Sequence, residues 1–129
     1  MTRINVIPPS DLADQHLLAE YRELPRVFAL ARPVPTPQVY TLGPGHVRFF
    51  YTRTGWLSRR QASLVSECQH RGFNVRHINP ITPIVGCDGD WTPTAEAVSL
   101  NLERLRERLH QRPGWYTFRG ARVAPDFYG

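Results

Sequence analysis

Apolar residues recur along the chain with a helical period in three stretches. After Pro8-Pro9, residues Ala13, Leu17, Leu24, Phe28 and Ala31 fall within roughly 60° of one another at about 100° per residue. This predicts a first helix with Ser10 as its N-cap, Asp11 and Asp14 at its positive dipole end and a kink at the internal Pro25. A second helix is predicted from Gly55 or Trp56 to Arg71, with Leu57, Leu64, Val65 and Cys68 on one face and Gly72 placed as its C-terminal cap. The third starts near Thr92-Pro93, carries Val98, Leu102, Leu105 and Leu109 on its apolar line, and stops at Pro113. Residues 46–51, HVRFFY, alternate like a strand, but one strand has no pairing partner here, and the segment reads as an extended buried connection. Three amphipathic helices joined by Pro/Gly-punctuated connections (RPVPTPQ at 32–38, INPITPIVGCDGDW at 78–91) predict an all-α fold.

Length sharpens this picture. The chain has 129 residues, 41% of them hydrophobic, which is enough for one core and predicts a single domain over 1–129. Charge adds a direction. All sixteen basic residues are arginine, and the net charge is +5. Residues 1–60 hold eight arginines against four acids, whereas residues 61–129 hold eight against seven, so the N-terminal half is the side expected to face a polyanion. Arginine suits phosphate because its planar fork donates two parallel hydrogen bonds.

Other signals narrow the chemistry. Cys68 and Cys87 form no CxxC pattern, which points to a reducing, cytoplasmic setting, and no apolar run reaches 18 residues, so neither a signal peptide nor a membrane span is expected. Cys68, His70, His77 and Cys87 have no spacing of a closed zinc site, and no metal or other cofactor is expected. GPGHV at 43–47 lacks the strand and helix of a nucleotide loop and reads as a turn, with His46 a hydrogen-bonded structural histidine. RLRERLHQR at 104–112 reads as a solvated helix face.

The first helix carries the densest candidate chemistry. His16, Ala19, Arg22, Glu23 and Arg26 share a sector of roughly 120° beside the apolar stripe, so a carboxylate flanked by guanidiniums lies along one strip. Each of these residues is also ordinary on a solvated helix face. Thr2 changes the weighing, because removal of Met1 would leave it with a free α-amino group. Such an amine has an ordinary pKa of about 7.7–8.0 and is substantially nucleophilic at neutral pH. In a chain without lysine it is the one primary amine available for attack on a sugar C1′ or an aldehyde.

MTRIN at the start, LADQHLLAEYRELPRVFALAR in the first helix, GPGHVRFFY, the RQ..L..EC..RGFNV pattern and RPGWYTFRG together resemble the pyrimidine-dimer DNA glycosylase, or endonuclease V, family over nearly the whole chain. The resemblance implies a glycosylase with abasic-site lyase activity. Thr2 would supply the nucleophilic α-amine and Glu23 would support the ionised intermediate, while Arg3, Arg22 and Arg26 would hold phosphates. Gln15 and His16 match residues lining the family site, and Trp115, Tyr116 and Phe118 keep its C-terminal aromatic pattern. The implied partner is double-stranded DNA containing damaged bases, bound by a monomer. Two departures stand out. The connection after the first helix is shorter than the basic loop of the family's phage member, and Ala121 occupies a position where a lysine is expected, leaving Arg119 or Arg122 as the substitute phosphate contact. A non-catalytic small helical DNA-binding protein, or an enzyme for abasic or oxidised-purine sites, would share the same basic face.

Overall fold

The computed structural model describes residues 4–129, so Met1, Thr2 and Arg3 lie outside the described residues. Its architecture is helical: α1 (Asp14–Ala29), a short α2 (His46–Phe49), α3 (Thr54–His70) and α4 (Ala95–Gln111), followed by a small hairpin of β1 (Thr117–Phe118) and β2 (Ala121–Arg122). The three long helices are those predicted from the apolar periodicity, and α1 packs mainly on α3. Leu17 and Leu24 of α1 meet Leu57, Leu64 and Cys68 of α3 in one hydrophobic cluster that also takes Leu105 and Leu109 of α4.

Several boundaries differ from expectation for identifiable reasons. Ser10 does not cap α1. It lies in a single 3-10 turn, Pro9–Asp11, after which Leu12 is extended and α1 begins at Asp14 without a side-chain cap. Leu12 and Ala13 are fully buried, and burying that pair interrupts the helix. The Ala13 amide is satisfied by the Tyr128 hydroxyl at 2.8 Å. Pro25 is accommodated inside α1, which continues to Ala29. Helix α4 is capped by Thr94, not Thr92: the Thr94 hydroxyl accepts from the Ala97 amide at 3.1 Å. Residues 46–49 are a helical turn rather than an extended connection. Gly45, at φ +87°, breaks the chain direction and its carbonyl accepts from the Phe49 amide. Phe49 and Phe50 are both fully buried, and an extended chain would send consecutive side chains to opposite faces. At the end of α3 the expected cap is present: Gly72 (φ +83°) donates to Gln69 O and Phe73 to Cys68 O, the paired bonds of a Schellman motif.

Two irregular segments run through this frame. Residues 4–7 are buried without secondary structure, and side chains satisfy their polar groups. Asn101 Oδ1 accepts from the Val6 amide at 2.8 Å, and Arg60 donates to the Ile7 carbonyl at 2.6 Å. Residues 73–91 return along α3 as a strap. Tyr21 Oη accepts from the Arg76 and His77 amides, Ser58 donates to Ile81 O, and Thr54 donates to Cys87 O. The approach is close enough that a Cβ on Gly55 would lie 2.6 Å from the Asp88 carbonyl oxygen. Cys68 and Cys87 are buried free thiols. No helix among the described residues is long and apolar enough to cross a membrane.

Candidate active site

Helix α1 presents the strip anticipated from its projection. His16 and Glu23 are half-buried, Ala19, Arg22 and Arg26 are exposed, and Arg26 donates to Glu23 Oε1 at 3.2 Å. Across from it runs α4, whose Arg104 and Arg108 are half-buried and not part of a solvated face. Together with Asn5, His16, Ala19, Glu20, Leu105 and Tyr116 they line a cleft of about 190 Å³. Glu23 continues the α1 wall one helical turn beyond Ala19.

Two carboxylates three residues apart on α1 have different fates. Glu20 is 1% exposed, and its oxygens accept from Arg60 Nε at 2.7 Å, Arg60 Nη2 at 2.9 Å and Asn5 Nδ2 at 3.0 Å. Its charge is spent within the protein. Glu23 shares its Arg26 bond with solvent and remains at the surface of the strip. Arg104, which pairs with Glu107 at 3.4 Å, and Arg108 line the cleft, with Arg22 and Arg26 exposed on α1, an arrangement that attracts anions.

His16 is held at one nitrogen only. Its Nδ1 lies 2.7 Å from Tyr128 Oη, while Nε2 is buried and without a hydrogen-bond partner among the described residues. Tyr128 Oη also accepts from the Ala13 amide at 2.8 Å, so one hydroxyl ties both the start of α1 and the imidazole. Burial, with Arg108 adding, pushes the His16 pKa down to about 4, so the ring is neutral at pH 7. Its ring lies tilted against Tyr116, with centroids 4.6 Å apart.

The remaining sequence candidates separate into two groups. Tyr116 lines the cleft, and Trp115, 46% exposed, packs edge-on against it under the Arg112 guanidinium, which lies 4.0 Å from the indole centroid. Gln15 instead tethers the hairpin: its Oε1 accepts from the Thr117 amide and its Nε2 donates to Thr117 Oγ1. Phe118 points away from the cleft, packing on Phe127 and beneath Arg71 in an apolar groove shared with Ile7 and Leu102. Arg119 and Arg122 are exposed at the hairpin. Thr2 and Arg3 lie outside the described residues.

Sequence reasoning missed the groups that assemble this site. Arg104 and Arg108 share an edge of the α4 apolar line, a signal the i, i+4 spacing contained. Glu20 projects to the edge of the α1 apolar stripe, about 20° from Ala13, which marks a carboxylate needing a buried partner. Asp14 is a third case. It accepts from Arg71 Nη1, Thr117 Oγ1 and the Arg119 and Gly120 amides, pinning the hairpin turn to the start of α1. Burial opposes its ionisation, but the Gly120, Thr117, Arg119 and Arg71 bonds outweigh burial and hold the carboxyl below its ordinary 3.8. Arg71 also donates to Pro9 O and Ser10 O, so one guanidinium joins the 3-10 turn, α1 and the hairpin.

A mostly helical frame lines this cleft with arginines beside a half-buried carboxylate, an arrangement suited to an anionic ligand. The family model described as pyrimidine dimer DNA glycosylase matches residues 1–79, which include all of α1 and α3. The chain belongs to that family of DNA-repair glycosylases, and DNA is the substrate of its class. The match ends before α4, so the Arg104 and Arg108 wall stands on the geometry of the cleft.

Proposed function

We propose that this chain is a bifunctional pyrimidine-dimer glycosylase and abasic-site lyase acting as one domain, a cytoplasmic monomer that needs no cofactor. The observation that carries the reading is Glu23, a half-buried carboxylate one helical turn beyond the Ala19 wall of an arginine-lined cleft, in a chain whose family match begins at residue 1. With Met1 removed, the Thr2 α-amine attacks C1′ of the 5′ pyrimidine of a cyclobutane dimer. The C1′–N bond breaks and the base departs, still joined to its neighbour through the cyclobutane ring. Loss of a proton from nitrogen and ring opening of the sugar give an imine. Abstraction of a C2′ proton then expels the 3′ phosphate by β-elimination and cuts the strand.

The described residues divide this work. Glu23 stabilises the positive charge that develops on sugar and imine. Arg22, Arg26, Arg104 and Arg108, with Arg3, hold phosphates and fix register, while Trp115 and Tyr116 offer aromatic surface to displaced bases. Neutral His16 adds no positive charge to the cleft. Gln15 and Phe118 act indirectly, through the hairpin that carries Tyr116.

Borohydride trapping on duplex DNA carrying one cyclobutane thymine dimer tests the reading, with matched proteins bearing free Thr2 or retained Met1. The expected result is a covalent adduct with free Thr2 alone. An adduct on abasic DNA but none on dimer DNA would move the substrate to another lesion. No adduct on either, with binding intact, would leave a non-catalytic DNA-binding protein.

A further inference from the structure

The buried segment at residues 4–7 begins two residues after Thr2, and the backbone of Ile4 is held at both its N–H and its C=O, in two successive peptide groups. The Ile4 amide donates to His46 Nε2 at 3.0 Å, and the Ile4 carbonyl accepts from Tyr40 Oη at 2.9 Å. Ile4 and Tyr40 are 0% and 6% exposed, and His46 is 2% exposed. The histidine's tautomer follows from its partners. His46 Nδ1 lies 2.8 Å from the Thr41 carbonyl oxygen, which can only accept, so Nδ1 carries the proton and Nε2 offers its lone pair to Ile4. The Tyr40 ring packs edge-on against the imidazole, 5.4 Å between centroids, which orients both groups together. Gly45 at φ +87° starts the turn that delivers His46.

We propose that His46 and Tyr40 are positioning residues for the reaction: by clamping the Ile4 backbone at its N–H and its C=O they set where the α-amino group of residue 2 can reach. The inference rests on the reading that Thr2 carries the nucleophile. A chain extends at most about 3.3–3.6 Å per residue, so an anchor two residues away confines the amine to a radius of about 7 Å. Amine attack needs the nitrogen about 3–3.5 Å from C1′, and a misplacement of about 1 Å is enough to cost about a hundredfold in rate. An irregular segment has no ladder of its own to supply that order. Asn5, whose side chain bonds Glu20 and Asn101 at 3.0 and 2.8 Å, adds a further anchor next to Ile4.

The test uses full-length protein with Met1 removed, verified by mass, and compares wild type with His46→Ala, His46→Gln and Tyr40→Phe. Glutamine can place Oε1 where Nε2 sits and keeps an acceptor for the Ile4 amide. Single-turnover imine trapping on dimer DNA is expected to fall about ten- to a hundredfold in His46→Ala and about tenfold in Tyr40→Phe, with His46→Gln recovering most of the loss. DNA affinity is expected to stay within about twofold in all three, a rate effect without a binding effect. Folded variants that trap at the wild-type rate, or that lose rate and affinity in parallel, would overturn the clamp. So would a His46→Gln protein as slow as His46→Ala. Should His46→Ala fail to fold, the loss of a single hydroxyl in Tyr40→Phe decides by the same criterion. Absence of an adduct with wild-type free Thr2 overturns the nucleophile reading and the clamp with it, whereas a wild-type adduct beside unaffected variants overturns the clamp alone.

Discussion

Replacing Arg60 with methionine removes one charge of a buried pair while keeping most of the side-chain volume. Arg60 and Glu20 side chains are 6% and 0% exposed, and their two hydrogen bonds measure 2.7 and 2.9 Å. Without the guanidinium, Glu20 keeps only the Asn5 amide, and the Ile7 carbonyl loses its donor. Breaking a buried pair from one side costs about 3–5 kcal/mol, because the other charge stays uncompensated in a poorly solvated site. An orphaned buried carbonyl adds about 1–3 kcal/mol. A chain of this length loses roughly 3–5 °C of melting temperature per kcal/mol, so Arg60→Met is expected to melt at least about 10 °C below wild type. Urea denaturation followed by circular dichroism gives the free energy directly. The companion variant Glu20→Leu/Arg60→Met, which removes both charges, is expected to recover about 2 kcal/mol of the loss. A fall below about 1 kcal/mol for Arg60→Met would mean that water reaches Glu20 and would refute the reasoning.

Three further outcomes follow from the site. Under the proposed mechanism Glu23→Gln abolishes base release on dimer DNA while leaving affinity largely intact, so loss of both in a gel-shift and cleavage comparison would make Glu23 structural. Arg104→Ala and Arg108→Ala each weaken DNA binding and reduce the slope of log K against log salt by about one; an unchanged slope removes that residue from the phosphate contacts. His16 is held neutral by burial, its pKa down to about 4 from 6.5. Its folded form binds a proton less readily than its unfolded form, so its contribution is complete above about pH 6.5 and declines as pH falls toward 4. His16→Gln should flatten the stability profile across that window, and an NMR titration with a midpoint near 6.5 would contradict the burial argument.

Local pattern by itself determined the three long helices, the glycine cap after α3 and the strip from His16 to Arg26. Each depends on residues within a turn or two of one another, where the 3.6-residue period fixes which side chains share a face. The clustering of Glu23 with arginines was legible for the same reason, and so was the tilt of charge toward the N-terminal half. Tertiary structure decided which carboxylate is buried in an ion pair. Glu20 and Glu23 have the same charge three residues apart, and they differ because Arg60, forty residues on, reaches one of them. Arg104 and Arg108 became cleft residues only when α4 packed beside α1, bringing Leu105 into the common core. Residues 46–49 folded as a turn because Phe49 and Phe50 both needed burial, a demand set in part by Trp91, about forty residues further along the chain. Asp14, read locally as a helix-dipole partner, is instead held by Arg71 and by the hairpin more than a hundred residues away. Periodicity encodes the face a side chain occupies, whereas its partner across that face is chosen by packing over distances along the chain that no local pattern records.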